Sequence, residues 1–301
     1  MAVKVPGSMA GFQFVKEATF GTTPTTAMKY GGHLRTLDTP FNPNADELEP
    51  DNSRQFSEVI FTNEDHGFNA ELSIYKSVAS GYSWLDLTEL AIGANGTGVG
   101  MTLPSFSTLL KVASDQFFLM KGCMVNSFEL STEGVGKQIR ATIDALCKRI
   151  GVPVASRPSG IGADAAKPTT APLTYNKYPT SNIPNYATIN AKNFTLNINN
   201  NLAPQEGFDT DSTPLSAGSG IIPGIVDIEL TMESMSDGLY WDALKLNKGR
   251  DYTVVLSIDG YNLTLTGCYL PGGDMPSRSN TEPYDETITL KAKNITIIKA
   301  S

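Results

Sequence analysis

The chain is poor in the residues on which most enzymes and metalloproteins depend. It has only two histidines, His33 and His66, and neither has sequence neighbours typical of a general base or a metal ligand. No GxSxG, HExxH or GxGxxG motif is present. We therefore expect no catalytic activity, no cofactor and no metal site.

Cysteines and long apolar runs are also scarce. Cys123, Cys147 and Cys268 form an odd set without CxxC spacing, which favours buried free thiols over a disulfide framework or a zinc site. No apolar run reaches the ~18 residues of a membrane span, and the first residues lack the apolar core of a signal peptide. These features predict a protein that folds in the cytoplasm and has no membrane partner.

Basic charge is in deficit, since the formal net charge is −8 and the pI is about 4.9. Binding nucleic acid through its phosphates needs clustered Lys and Arg, so we expect the chain to repel DNA. The 301 residues are 40% apolar and 18% charged, a globular composition. That length is enough for two domains, each with its own core.

One stretch of the sequence occurs twice. Residues 68–90 and residues 226–246 both run from an alternating strand, through a Ser/Gly turn, into a Trp-bearing segment with helical spacing. Glu71 overlays Glu229 and Trp84 overlays Trp241, in registers that differ by one residue. A repeat at roughly 150 residues indicates duplication of a whole domain, because solenoid repeats are only about 20–50 residues long.

The similarity continues downstream. Gly122-Cys123 matches Gly267-Cys268, and each pair is followed by an alternating strand, at 138–148 and at 286–299. We therefore expect a mainly β fold in two tandem copies, each with one flanking α-helix. Trp84 and Trp241 are expected to pack each helix on its sheet, with an exposed sugar-stacking platform as the alternative.

Composition divides the chain into four parts. Residues 1–30 have no sustained periodicity and are predicted to form an N-terminal arm. Residues 31–150 form the first copy and residues 185–301 the second. Residues 151–184, rich in Pro, Ala, Gly and Thr, are predicted to be a linker that runs along a surface.

Each copy has a long polar stretch at a corresponding place. Residues 39–55 are rich in Pro and acids, residues 199–223 in Gly, Ser, Pro and Asp, and both are predicted to be loops. A strand at 56–62 and a turn at 63–67 follow the first. Loops of more than 12–15 residues are usually functional or disordered, and the presence of one in each copy favours a function. Their acidic runs lack the spacing of a calcium loop, which favours solvated loops.

The polar faces of the repeated strands carry acids in both copies. In the second copy Asp227, Glu229, Thr231 and Glu233 alternate with apolar residues, and in the first copy Asn69, Glu71 and Ser73 do so. An ordinary solvated sheet face, with the acids balanced by cross-strand partners, is one interpretation. The basic residues available for that are Arg140, Lys291 and Lys293.

Three features together resemble the tail tube proteins of long-tailed bacteriophages. FVKEATFGTTPTT (14–26) resembles the family's opening stretch GxExTxGTxP, and FFLMKGCMVNSFEL (117–130) and the acidic alternating strands are also similar. The resemblance covers nearly the whole chain. A two-domain β-sandwich that binds carbohydrate or acts as an adhesin is the alternative.

The resemblance implies a structural virion protein made in the host cytoplasm. Each copy would be a β-sandwich with one helix, and six such domains would form a ring. We expect a trimer of this chain, with a hexamer possible. Rings would stack into a tube that carries DNA without binding it specifically. A tape measure protein and a tail terminator would be further partners.

The resemblance also assigns candidate residues. The negatively charged lumen would be lined by Glu71, Ser73, Asp227, Glu229, Thr231 and Glu233. The ring-stacking loops would contribute Asp46, Glu47, Glu49, Asp51, Arg54, Phe208, Asp209 and Asp211.

Overall fold

The structure, a computed structural model, describes residues 11–38, 41–48, 58–76, 84–93, 102–113, 116–150, 154–163, 168–184, 186–205, 220–235, 251–271 and 285–299. The prediction of a mainly β fold is confirmed, and the described residues include one α-helix, α1 (Trp84–Ile92). The strands are β1 (Gly11–Lys16), β2 (Lys29–Asp38), β3 (Phe41–Leu48), β4 (Glu58–Ser73), β5 (Phe106–Ala113), β6 (Gln116–Thr132), β7 (Ile139–Ile150), β8 (Thr180–Ile183), β9 (Tyr186–Thr188), β10 (Ala191–Asn199), β11 (Ala203–Gln205), β12 (Gly220–Ile222), β13 (Asp227–Met235), β14 (Tyr252–Ile258), β15 (Tyr261–Cys268), β16 (Asp285–Ala292) and β17 (Asn294–Lys299).

Strands of the first half of the chain (β1 to β7; the second half comprises β8 to β17) close into a barrel. They pair antiparallel in the cycle β1–β2–β4–β7–β6–β5 and back to β1. The cycle closes because β1 pairs with both β2 and β5, and β7 pairs with both β4 and β6. The interior is aromatic: Phe68 contacts Phe12 and Phe106, with ring centroids 5.8 and 6.4 Å apart. Helix α1 packs on β6 and β2.

The 17-residue strand β6 connects the two halves. Its N-terminal part pairs with β5 inside the barrel, whereas Ser127–Thr132 pair with β10 of the second half. Its other edge pairs with β7. One antiparallel sheet therefore runs across both halves in the order β2–β4–β7–β6–β10–β13–β16.

The second half adds a five-stranded sheet in the order β17–β15–β14–β8–β9. Its alternating apolar side chains join the core beneath β10, β13 and β16, as the sequence patterns predict. Members of this core include Leu196, Ile198, Ile228, Leu230, Met232, Val254, Leu256, Leu263, Leu265, Ile288 and Leu290. The predicted second helix, with Trp241, lies outside the described residues.

The two halves share irregularities of strand pairing. Thr36 lies opposite Glu71 immediately after a bulge in β2, and Asn193 lies opposite Glu233 immediately after a bulge in β10. Glu71 therefore corresponds in the strand pairing to Glu233, whereas the sequence overlay matched it to Glu229.

The arm predicted for residues 1–30 is wrong for residues 11–16. These residues form β1, which lies between β2 and β5, and Phe12 and Phe14 are buried. The segment is too short for its alternation to stand out, so pairing on both edges rather than local pattern fixes it as a strand.

The loop predicted for residues 39–55 is wrong for residues 41–48, and the turn predicted at 63–67 is absent. Residues 41–48 form β3, which pairs with the unbroken strand β4 from Phe41 opposite His66 to Leu48 opposite Glu58. Backbone hydrogen bonding to a partner strand has overridden the Asn- and Pro-rich local signal here. Similarly, β11 pairs antiparallel with β12 within the loop predicted for 199–223, of which residues 206–219 lie outside the described residues.

The segment predicted as a linker follows the surface of the first half. Val154 pairs with Phe117, and the Leu173 N–H donates to the Ile74 carbonyl over 2.9 Å. The Tyr175 N–H donates to the Lys137 carbonyl, also over 2.9 Å. The segment then enters β8 at Thr180, so its last residues belong to the five-stranded sheet.

Candidate functional site

The continuous sheet has a polar face on which side chains from both halves line up in rows across the strands. One row contains Glu71 of β4 and Glu229 of β13. Glu129 of β6 lies between them, opposite Thr142 and Asn197. The full row is Thr36, Glu71, Thr142, Glu129, Asn197, Glu229 and Lys291.

A second row, two residues along each strand, is dominated by hydroxyl groups. It contains Thr231, whose Oγ1 lies 3.5 Å from that of Thr289. Ser73 is also in this row, but its exposure is only 6%, so it cannot form part of an open wall in this chain. The row is Ser73, Arg140, Ser131, Thr195, Thr231 and Thr289.

A third row, on the other side of the glutamate row, is acidic and amidic. It contains the predicted residue Asp227 and also Asp144, whose carboxylate accepts the Asn126 amide over 2.7 Å. The row is Asp38, Asn69, Asp144, Ser127, Asn199 and Asp227. Sequence reasoning missed Glu129 and Asp144, although each alternates with buried residues in its strand.

Basic side chains neutralise part of this charge. Glu71 Oε1 lies 3.4 Å from Arg35 Nε and 3.5 Å from Arg140 Nη1. Arg140 also contacts Glu133, with Nη2 2.9 Å from Oε1. Because Arg35 and Arg140 flank Glu71, its carboxylate contributes less to the field above the sheet than its position suggests.

Lys291 performs the same role at the far end of the sheet. Its Nζ donates a hydrogen bond to Asp227 Oδ2 over 2.8 Å. This hydrogen bond and the negative charge of Asp227 raise the pKa of Lys291, and the charge of Glu229 adds a smaller contribution. The pair is exposed, so its contribution to stability is small.

Among the described residues, three further acids of this face form no close ion pair, although Glu229 lies opposite Lys291 in the strand pairing. Within the described ranges, no ion pair involves Glu129, Glu229 or Glu233, and Glu233 accepts the Asn193 amide over 2.7 Å. These three acids and Asp144 therefore make the polar face net negative near the joint between the halves.

A groove of about 340 Å³ follows the joint between β6 and β10 on this face. Glu129, Glu133 and Glu233 contribute carboxylates, Arg140 contributes the cation, and hydroxyl and amide side chains complete the lining. Among the described residues, no three His, Cys, Asp or Glu side chains are grouped so as to hold a metal ion.

The structure describes only two of the residues predicted to act in ring stacking. Asp46 and Glu47 lie in β3, opposite Ile60 and Val59, in the hairpin that β3 makes with β4. The other candidates lie outside the described residues: Glu49, Asp51, Arg54, Phe208, Asp209 and Asp211.

Trp84 begins α1 and is 1% exposed, so its ring has no free face on which a sugar could stack. It lies between the halves, since its ring is perpendicular to that of Tyr261 at 6.3 Å. Trp241 lies outside the described residues.

Sequence reasoning also missed a buried carboxylate within the stretch KEATFG. Glu17 is 8% exposed and accepts backbone N–H groups from Gly21 at 2.8 Å and Gly122 at 3.0 Å. Ser105 and Ser107 donate their hydroxyls over 2.8 and 2.5 Å. Glu17 therefore ties the turn after β1 to β5 and β6, which gives the Glu and the Gly of this opening stretch a structural role.

The described residues form a mainly β protein in which one sheet presents a broad polar face across both halves. The sequence profile described as phage tail tube protein matches residues 7–234. The chain belongs to this phage tail tube protein family, and the predicted resemblance is confirmed.

Membership in the family makes the chain a structural component of a phage tail. A comparison with curated proteins gave no match. In the part of the chain that the structure describes, no helix is long and apolar enough to span a membrane.

Proposed function

We propose that this chain assembles into stacked rings that form a tail tube and that its polar sheet lines the channel through which DNA passes. The observation that carries the proposal is the continuous sheet β2–β4–β7–β6–β10–β13–β16, which presents one polar face across both halves. A curved wall made of several such sheets would enclose a channel without gaps at the domain boundary.

The two halves serve in this proposal as two copies of one tube domain. The bulges before Thr36 and Asn193 support this, and so do the neighbours of Glu71 and Glu233 on the next strand, which are Thr142 and Thr287. Further support comes from β6 and β15, where Gly122 and Gly267 have φ of 61° and 65°. Three chains would then supply six domains to a ring.

The pairing of β6 with β10 joins one half to the next inside the chain. Both ends of the sheet are open: within the described residues, the edge of β2 at Arg35–Asp38 has no partner on the side away from β4. Among the described residues, the outer edge of β16 is paired through the bridge between Lys291 and Tyr269 alone. Exposed sheet edges are usually covered or paired, and closing a ring of chains would pair them.

The acidic face favours passage of DNA over binding. Unpaired carboxylates repel the phosphate backbone, and few cations are available to replace its counterions. In this proposal Glu129, Asp144, Glu229 and Glu233 set the potential of the lumen, Thr231 and Asp227 complete the wall, and Glu71 is largely neutralised by its two arginines.

Stacking would involve the β3–β4 hairpin, with Asp46 and Glu47, and the segment between β11 and β12. A tape measure protein inside the tube and a terminator at its end would be the other partners. Assembly would take place in the host cytoplasm, and the finished tube would belong to the virion.

Electron microscopy of the assembled protein tests the ring. We expect end views with six repeats and a ring mass of three chains, and a density map in which Glu129 and Glu229 face the channel. A ring of six chains would correct the stoichiometry. A chain that stays monomeric at all concentrations, or a polar sheet on the outside of the tube, would overturn the proposal.

The double variant Glu129→Lys/Glu229→Lys tests the lumen charge in phage particles. It leaves the Glu71 ion pairs intact, and Asp251→Lys, at an exposed residue immediately before β14, is the control. We expect normal tubes with slower or incomplete DNA release for the double variant only. Intact tubes with unchanged release would exclude the electrostatic role while leaving the assembly proposal standing.

A further inference from the structure

Two of the three cysteines face each other inside the barrel. Cys123 of β6 lies directly opposite Cys147 of β7, and their Sγ atoms are 2.6 Å apart. Both are buried free thiols. The corresponding position in the second half has a single thiol, Cys268 of β15, with no cysteine on the strands that pair with β15.

The main-chain geometry at this place is compatible with a covalent bond. Directly opposed residues of an antiparallel pair have Cα atoms about 4.5–5.5 Å apart, which is inside the range of about 4.4–6.8 Å found for disulfides. An S–S bond measures about 2.05 Å, so the two sulfurs need to approach by only roughly 0.5 Å. Side-chain rotation can supply that movement without separating β6 from β7.

We propose that Cys123 and Cys147 form an oxidisable pair that a small oxidant of the peroxide class converts to an intramolecular disulfide. One thiolate attacks a peroxide oxygen, breaking the O–O bond, and becomes a sulfenic acid as hydroxide leaves. The second thiol displaces the sulfenic oxygen, which leaves as water. The balance is two thiols and one hydrogen peroxide giving one disulfide and two waters, and the peroxide is reduced by the two electrons that the sulfurs lose.

The environment of the two thiols determines how fast peroxide oxidises them. Burial, reinforced by the hydrogen bond with Cys147, raises the pKa of the Cys123 thiol, so little reactive thiolate is present at neutral pH. Oxidation should therefore be slow and should need an oxidant small enough to enter the barrel. The pair would stay reduced in a host cytoplasm and would meet oxidising conditions only outside the cell.

The bond would connect strands that already pair along most of their length. It would cross-link the barrel at a point where β6 is bulged, and it would restrict the unfolded chain rather than alter the fold. The oxidation of the pair is independent of the tube proposal, because it depends only on the barrel of a single chain. Only the change from reducing to oxidising surroundings rests on the proposed function.

Intact-mass measurement of the purified full-length chain, before and after incubation with hydrogen peroxide, tests the pair. We expect a loss of two hydrogen atoms, alkylation of Cys268 alone afterwards, and reversal by a reductant, with a rise of several degrees in the unfolding midpoint. Cys268→Ser should behave as the wild type, whereas Cys123→Ser and Cys147→Ser should not lose the hydrogens.

Three results would overturn the proposal. The first is a wild-type chain whose thiols all remain alkylatable after prolonged exposure. The second is a gain of oxygen atoms at Cys123 or Cys147 without a disulfide. The third is a disulfide that joins two chains through Cys268. The wild-type result decides the matter even if a serine variant fails to fold.

Discussion

Trp84 in the first half donates its indole N–H to the carboxylate of Asp259 in the second half, over 3.4 Å. The helix that Trp84 begins therefore holds the β14–β15 turn of the other half as well as its own sheet. Asn200 reinforces the joint from the other side, because its side-chain amide donates to the carbonyls of Ala91 and Val125 over 2.9 and 2.8 Å. The two halves are joined by side chains as well as by the β6–β10 pairing.

Replacing Trp84 tests this joint. Trp84→Ala should lower the free energy of unfolding by about 3–5 kcal/mol, since it removes a large buried ring together with its hydrogen bond. Trp84→Phe keeps part of the ring and should lose about half as much. Denaturant unfolding measures both, with the exposed Tyr178→Phe as control. A Trp84→Ala chain as stable as the wild type would contradict a role for Trp84 in the core.

Alanine substitutions at two glycines with positive φ distinguish the effect of backbone strain on stability from the effect of side-chain crowding. Gly122 has φ 61°, and an added Cβ would lie 2.7 Å from Lys148 Cβ and 3.2 Å from the Phe20 ring. Gly136 has φ 76° and open space around it. Gly136→Ala should lower the free energy of unfolding by about 1–2 kcal/mol through strain alone, and Gly122→Ala should lower it by clearly more. Equal losses in urea titrations would disprove the crowding at Gly122.

Neutralising Glu17 should destabilise the barrel. Glu17→Gln replaces one acceptor oxygen by an NH₂ group that faces donors, so buried N–H and O–H groups lose their partner. We expect a loss of about 3 kcal/mol or more in the free energy of unfolding. Glu133→Gln, at an exposed ion pair with Arg140, should lose less than about 1 kcal/mol. Similar losses for both variants would argue against the Glu17 network.

We expect the folded chain to lose stability at alkaline pH because Tyr30 is buried. Burial, with a smaller contribution from Tyr75, raises the pKa of Tyr30 to about 12, against about 10 for an unfolded tyrosine. Between these values the unfolded chain has lost the proton that the folded chain still holds, so stability falls as the pH rises from 10 to 12. The expected loss is about 2–3 kcal/mol.

Tyr30→Phe should reduce the loss of stability in that part of the pH profile, measured as urea midpoints at pH 9 and pH 11.5. A smaller loss should remain, because burial also raises the pKa of Tyr175. Tyr178→Phe, at an exposed position, should leave the slope unchanged. If Tyr30→Phe kept the full alkaline loss, the assignment to Tyr30 would be refuted.

Alternation was enough to predict strands whose two faces differ. Phe68, Ala70 and Leu72 of β4 are buried as predicted, and so are Phe194, Leu196 and Ile198 of β10. These strands have one apolar and one polar face. Because successive side chains of a strand point to opposite faces, burying one face requires apolar residues at every second position. The helix at Trp84 was predictable for the analogous reason, from apolar residues at helical spacing.

Other elements were not predictable because their cause is not local. The Pro- and Asn-containing segment 41–48 is a strand only because β4 extends far enough to pair with it. The short segment of β1 is a strand because β2 and β5 bind both its edges. Main-chain hydrogen bonds to distant residues leave no trace in a window of sequence.

The sequence by itself determined that the chain is mainly β, that its strands have acidic polar faces, and that it has the features of the tail tube family. It could do so because periodicity and composition are properties of neighbouring residues. Only the tertiary structure decided which acids share a row and which are neutralised. It added Glu129 to the row of Glu71 and Glu229, buried Ser73, flanked Glu71 with two arginines and brought Cys123 opposite Cys147. The physical reason is that strand register, which sets every one of these neighbours, depends on residues far apart in the chain.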